Sequence, residues 1–126
     1  MTPAETGRAG EDLAAAFLEA KGMVVMDRNF RFNREEIDLV CFDAAGGIFV
    51  VVEVKARRGA GFGAPEAAVD AAKQKAIMRV TEAYLHERRL MPAPIRFDVV
   101  AVTFGRGPAA GEPRVEHFVN AFGYFV

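Results

Sequence analysis

The sequence predicts an α/β protein in which helices flank a mixed central sheet, with elements in the order αβββαββ. Two observations carry this prediction. Residues 36–55 form two apolar runs around a short loop, which is typical of an antiparallel hairpin. A strand, a long helical pattern and another strand then follow one another, and this succession favours a parallel crossover.

Length and composition fit a single domain spanning residues 1–126. Hydrophobic residues make up 52% and charged residues 26% of the chain, which excludes a disordered protein. The net charge of −1 gives no overall basic field, so contacts with nucleic acid would depend on local patches.

We expect a cytoplasmic protein. The one cysteine, Cys41, lies in an apolar strand; it allows no internal disulfide and is expected in the core rather than as a catalytic thiol. The polar N-terminus does not resemble a signal peptide. No apolar run approaches the ~20 residues that a membrane span requires.

The first element is a helix from Thr2 to about Lys21. Thr2 is a suitable cap, Pro3 suits the first helical position and Glu5 completes a capping box, while Gly22 marks the end. Spacing of apolar residues predicts the buried stripe of this helix. Its members are Leu13, Phe17 and Ala20, with Ala14 and Ala16 beside them.

Glu11 lies at the edge of this stripe and has two interpretations. Gly7 and Gly10 are poor helix formers, and their missing side chains would let another backbone come close to Glu11. Glu11 would then belong to a site. Alternatively, it is a solvated carboxylate favoured by the helix dipole.

A short strand, 23–26, a turn at 27–29 and a strand end at 30–32 lead to the hairpin. Its strands are predicted at 36–42 and 48–55. Alternation puts Asp38 on one face with Val40, and Ile37 on the other face with Leu39.

The hairpin register brings charges together inside an apolar pair of strands. A four-residue loop, 44–47, pairs Phe42 with Phe49 and so sets Asp38 opposite Glu53, and Glu36 opposite Lys55. Two carboxylates with Cβ atoms ~5 Å apart repel by roughly 3 kcal/mol at an effective dielectric of 20. A divalent cation would turn this repulsion into attraction.

The second half begins with a basic, glycine-rich loop at 57–64, and Pro65 opens a helix that runs to about Arg88. Lys73 falls inside the apolar stripe of this helix and Gln74 beside it. Lys73 either snorkels at the stripe edge or reaches the hairpin. The stripe consists of Val69, Ala72, Ala76, Ile77, Val80, Ala83 and Tyr84.

A strand at 95–102, a loop at 105–113 and an edge strand at 114–119 complete the chain, followed by the aromatic residues Phe122, Tyr124 and Phe125. The sequence shows no repeat and no linker.

The aspartate on one hairpin strand and the Glu-x-Lys on the other resemble the PD-(D/E)XK nuclease superfamily, which has the restriction endonuclease-like fold. Over nearly the whole chain the sequence is more closely similar to the YraN family of predicted endonucleases, and distantly similar to archaeal Holliday-junction resolvases. The matching segments are Gly7–Glu11, Arg28–Arg31, Glu36–Val40, Phe49–Arg57, Arg96–Val100 and His117–Phe122.

Two positions depart from the pattern. Glu35 stands where the YraN family usually has glycine, which adds a negative charge beside the site. Ile37 stands before Asp38, where the superfamily has proline.

The resemblance implies roles for individual residues. Asp38 and Glu53, helped by Glu11 and the Val54 carbonyl, would bind Mg²⁺ or Mn²⁺. Lys55 would orient the attacking water and offset charge on the phosphate. The residues expected to contact substrate are Lys73, Gln74, Arg57 and Arg31.

The implied function is metal-dependent hydrolysis of DNA, with branched or structured DNA as the substrate and a homodimer as the assembly. DNA is favoured over RNA. Two alternatives stay open: a non-catalytic module that binds nucleic acid, and an adaptor for a partner protein. The charged trio of the hairpin also has a structural interpretation, as a buried ion network in which Lys55 offsets two carboxylates.

Overall fold

The structure is a computed structural model that describes residues 2–59, 69–105 and 111–123. Its elements follow the predicted order αβββαββ. They are α1 (Pro3–Ala20), β1 (Met23–Phe32), β2 (Glu35–Asp43), β3 (Ile48–Arg58), α2 (Ala71–Glu87), β4 (Ile95–Phe104) and β5 (Arg114–Phe122).

The five strands form one sheet in the order β1-β2-β3-β4-β5. Neighbours are antiparallel except β3 and β4, which are parallel and joined through α2. The predicted hairpin, crossover and edge strand are therefore confirmed. No helix among the described residues combines the length and apolar character needed to span a membrane.

Each face of the sheet carries its own core. One face packs against α2 through residues that include Val51, Ile77 and Tyr84. The other packs against α1 through residues that include Leu18, Leu39 and Val50. Because both faces are covered, the central strands are apolar on both sides, and a charge there needs a specific partner.

Helix α1 begins as predicted. The Thr2 hydroxyl accepts from the Glu5 amide at 3.1 Å, and the Glu5 carboxylate accepts from the Thr2 amide at 2.9 Å. Gly22 follows the helix with φ +94°, a left-handed conformation that suits glycine.

The buried face of α1 is rotated from the prediction. The expected Ala16 and Ala20 are exposed, and Leu13 and Phe17 are only partly buried. A Cβ on Gly10 would lie 2.5 Å from the Ala56 Cβ, so a glycine contact with β3 sets the rotation. The buried residues are Thr6, Gly10, Ala14, Ala15 and Leu18. The predicted close approach beside Glu11 therefore holds at Gly10, whereas a Cβ on Gly7 would meet nothing within 4 Å.

Helix α2 begins six residues later than predicted. Asp70 has extended backbone and accepts from the Lys73 amide at 2.8 Å, so it caps a helix that starts at Ala71. Val69 is buried ahead of the helix, and Ala72 is exposed, against prediction. Pro65 and most of the glycine-rich loop lie outside the described residues.

The prediction of a turn at residues 27–29 was wrong, because β1 runs unbroken through them. A bulge between Val25 and Asp27 and a left-handed Asn29, with φ 53°, absorb the irregular pattern. Strand β5 also extends to a buried Phe122. Tyr124 and Phe125 lie outside the described residues.

The predicted hairpin register is confirmed along its first half. Phe42 pairs with Phe49, but the ladder between β2 and β3 ends at Leu39 and Val52. The predicted partners of Asp38 and Glu36 across the ladder are therefore not formed. Alternation also fails, because Ile37 joins the α2-side core rather than the α1-side core that holds Leu39.

Candidate active site

The candidate site lies at the fork where β2 and β3 separate. The Val54 amide donates to Asp38 Oδ2 at 2.8 Å. The Asp38 side chain thus bonds to a β3 amide just beyond the point where the ladder between the strands stops. This bond holds the carboxylate in the fork.

Glu53 is the buried carboxylate of the site. It is 1% exposed, and its Oε1 atom has no hydrogen-bond partner among the described residues. Burial, a shared hydrogen bond with Asp38 and the Asp38 charge raise its pKa to about 9, against a smaller lowering by the charge of Lys73. Glu53 therefore holds a proton at neutral pH. Asp38 and Glu53 meet, as predicted, but through side chains in the fork rather than through a ladder pair.

Two further carboxylates, Glu11 and Glu36, converge on Asp38 of this acid pair. Oxygen atoms of Glu11, Glu36 and Asp38 lie within 4.8 Å of one another. Glu11 comes from α1, while Glu36 and Asp38 come from β2. The approach of α1 at Gly10 brings Glu11 into this group, which favours the site interpretation of Glu11 over the solvated one.

Asn29 connects two of these carboxylates. Its side-chain amide donates to Glu11 and to Glu36, at 3.0 Å in each case. Burial raises the pKa of Glu11, and the bond from Asn29 partly opposes this rise. Sequence reasoning missed both Asn29 and Glu36 as site residues. The sequence did offer one signal for Asn29. Asparagine tolerates the left-handed backbone conformation, and a residue in that conformation interrupts the alternation of side chains along a strand.

Basic side chains surround the acids. Lys73 Nζ lies 3.6 Å from Glu53 Oε1, so Lys73 reaches the hairpin rather than only snorkelling. Arg31 Nε lies 3.2 Å from Glu36 Oε2. Lys55 lies two residues beyond Glu53 on the same strand and is partly buried. Its charge also lowers the pKa of Glu53, although burial outweighs it.

Other predicted site residues lie differently. Gln74 donates to the Val69 carbonyl at 2.9 Å, and this bond anchors the chain before α2. Arg57 is partly buried further along β3. Glu35, at the position where the resemblance led us to expect glycine, forms an ion pair with Arg79 at 2.7 Å, so its charge has a partner.

The residues present fit a hard divalent cation. All side-chain donors are carboxylate oxygens, which Mg²⁺ and Mn²⁺ prefer. The buried Glu53 oxygen without a hydrogen-bond partner supplies an acceptor that a cation would satisfy. Cys41 is buried and its pKa is raised by burial to about 12, which excludes it as a thiolate nucleophile.

A second buried carboxylate lies in β4. Asp98 is fully buried and accepts from Arg96 Nε at 2.9 Å, Arg96 Nη2 at 3.0 Å and the Asn120 amide at 2.9 Å. His117 Nε2 lies 2.7 Å away, and Lys21 Nζ contacts His117 Nδ1 at 2.9 Å. Since lysine only donates, Nδ1 accepts and the Nε2–H donates to Asp98.

Comparison with known proteins gives consistent matches. A sequence model of the uncharacterised protein family UPF0102 matches residues 10–102. A UPF0102 protein of Rhodococcus opacus is 44% identical, and the match covers 92% of this chain and 94% of the length of that protein. The UPF0102 protein GSU0650 of Geobacter sulfurreducens is 46% identical, with 92% of this chain and 87% of that protein covered. A UPF0102 protein of Syntrophotalea carbinolica is 49% identical, with 92% of this chain and 89% of that protein covered.

Proposed function

We propose that this chain, which belongs to the uncharacterised protein family UPF0102, is a metal-dependent endonuclease that hydrolyses DNA, with branched or structured DNA as its substrate. The observation that carries the proposal is Glu53. The Glu53 carboxyl is buried beside Asp38 without a full set of hydrogen-bond partners, and its pKa is raised to about 9. Such a group lowers the stability of the fold, so a purely structural hairpin gains nothing from it. Strongly perturbed acids of this kind concentrate at functional sites.

The acidic residues would hold Mg²⁺ or Mn²⁺. Asp38 and Glu53 are the proposed central ligands, Glu11 and Glu36 complete the acidic set, and the Val54 carbonyl is a further candidate. A bound divalent cation would supply Lewis acidity toward the phosphodiester. Glu53 must lose its proton to act as a ligand. Cation binding at this site would therefore release a proton and become stronger as pH rises.

The basic residues act on the substrate. Lys55 orients the attacking water and offsets negative charge on the scissile phosphate. Lys73 and Arg31, on either side of the acids, position phosphate groups, because their side chains are 45% and 72% exposed. Arg57 extends this basic surface along β3.

One observation favours a second function, a binding module that does not cut. Three of the acids already face a basic partner: Glu36 faces Arg31, Glu53 faces Lys73, and Glu11 lies 3.9 Å from Arg28. Such pairs are also found in ion networks without catalytic roles. Hydrolysis must therefore be tested separately from binding.

The test is cleavage of single-stranded, flapped and four-way DNA in Mn²⁺. We expect cutting by the native protein and a loss of about 10³-fold or more in Asp38→Asn and in Lys55→Met, because both groups act at the phosphate. Asp43→Asn, on the same strand but at its other end, and Lys75→Met, on exposed α2 surface, are the matched controls.

Cutting by Asp38→Asn at the native rate would contradict the proposal. Binding that survives without cutting in any metal would establish the binding module instead. If the native protein neither binds nor cuts DNA, the adaptor interpretation replaces both.

A further inference from the structure

An apolar groove of about 800 Å³ runs between the end of β1 and α2. Phe30, Phe32, Ala83 and Met91 supply its apolar lining. Phe32 is 44% exposed and Met91 55% exposed in the part of the chain that the structure describes. The volume falls within the range of small-ligand sites, and an exposed aromatic ring in such a groove offers a face for stacking.

The groove and the candidate active site share one side chain, that of Arg31. Arg31 lines the groove and also lies 3.2 Å from Glu36, one of the clustered carboxylates. Phe32 is the next residue along β1. A molecule bound in the groove could therefore contact the same arginine that pairs with the acids.

Charge gives the groove a direction. Arg31 and Arg79 flank the end near the acidic cluster, and their side chains are 72% and 61% exposed. The acidic groove residues Glu82 and Glu87 lie further along α2, about 4.5 Å and about 12 Å from Arg79 by helix geometry. A ligand with an anionic and an apolar part is thus directed with its anion toward the arginines and its apolar part over Phe32.

We propose that this groove binds an unstacked nucleotide of a DNA strand, with its base on Phe32 and its phosphate at Arg31 and Arg79. The inference rests on the proposed function and deepens it. A base can enter the groove only after leaving the helical stack, which is least costly in unpaired DNA. The preferred substrates are therefore flaps, forks and open junctions, rather than uninterrupted duplex.

The experiment measures binding in EDTA, where no strand is cut. The probe is a flapped DNA with 2-aminopurine as the unpaired base next to the junction, and a fully paired duplex of the same sequence serves for comparison. We expect the native protein to bind the flap more tightly than the duplex and to quench the probe. Phe32→Leu should weaken flap binding about tenfold, because one base–aromatic stack is lost.

Two variants separate stacking from bulk apolarity. Phe32→Tyr keeps an aromatic face and should retain native flap binding. Phe42→Leu makes the same chemical change at a position paired with Val24, about 26 Å along the sheet from Phe32, and should leave binding unchanged. Thermal unfolding of each variant confirms that it is folded.

Equal flap affinity in Phe32→Leu and native protein would overturn the inference, and so would equal native affinity for flap and duplex or an absence of DNA binding. Cleavage in Mn²⁺, measured in parallel, distinguishes the two proposals. Cutting that continues while Phe32 has no effect disproves only the groove. Phe32-dependent flap binding by a native protein that never cuts supports the groove and disproves the nuclease.

Discussion

Two carboxylates are buried in the central strands of the sheet, and their surroundings push their pKa values in opposite directions. Glu53 lacks a hydrogen-bond partner at one oxygen, and burial, Asp38 and the limited help of Lys73 leave its pKa at about 9. Burial would also raise the pKa of Asp98. Hydrogen bonds from His117, Arg96 and the Asn120 amide outweigh it and hold the pKa below its ordinary value.

The difference lies in how fully the protein itself satisfies each buried carboxylate. The Asp98 centre is saturated with donors and joins β4 to β5, so it stabilises the fold without an external ligand. The Glu53 centre keeps a buried oxygen that accepts no hydrogen bond from the described residues, and under the proposed function a divalent cation would occupy that position. Charge inside a strand therefore indicates a site only when its partners inside the protein fall short.

The largest effect is expected from Asp98→Asn. Loss of the charge leaves the partly buried Arg96 guanidinium and His117 poorly paired, and breaking such a network costs about 3–5 kcal/mol. Urea unfolding monitored by circular dichroism measures the change. Glu116→Gln, a partly exposed neighbour on β5, is the control and should change stability by under about 1 kcal/mol. A similarly small loss of stability in Asp98→Asn would show that the Asp98 network does not stabilise the fold in the way described.

Mn²⁺ should act on one centre only. At 100 times its dissociation constant the ion should stabilise the native protein by about 2.7 kcal/mol, and EDTA should reverse this. Asp38→Asn should abolish the gain, whereas Asp43→Asn should retain it. Stabilisation that is equal in all three proteins would place the ion elsewhere.

A smaller gain in stability is expected from Glu53→Gln in EDTA. The folded protein keeps the Glu53 proton up to a pKa of about 9, while the unfolded chain releases it near the ordinary glutamate pKa of 4.5. Native stability therefore falls as pH rises through this window. Each pH unit costs about 1.4 kcal/mol at most, and relaxation of the buried pair reduces this, so Gln should add on the order of 2 kcal/mol at pH 8.

This gain should vanish at pH 4, where both states hold the proton. Urea unfolding at pH 4, 6 and 8 tests the trend. A gain that is the same at every pH would show that the pKa of Glu53 is the same in the folded and the unfolded protein, and the contrast with Asp98 would disappear.

Much of the fold follows from local sequence. The capping residues Thr2 and Glu5 set the start of α1, and the loop at 44–47 sets the pairing of Phe42 with Phe49. In both cases the interactions that decide the structure lie within a few residues of one another. The start of α2 was mispredicted at Pro65, because the capping side chain of Asp70 determines it instead.

The sequence by itself determined that Asp38, Glu53 and Lys55 lie on a hairpin and that Asp38 and Glu53 meet. Only the tertiary structure decided how they meet. The fork between β2 and β3, the left-handed Asn29 and the approach of α1 at Gly10 each depend on contacts between distant segments. Period-two alternation describes an isolated strand and contains no information about where neighbouring strands part. For this reason Glu36 and Asn29 became recognisable as site residues only once the sheet and α1 were packed together.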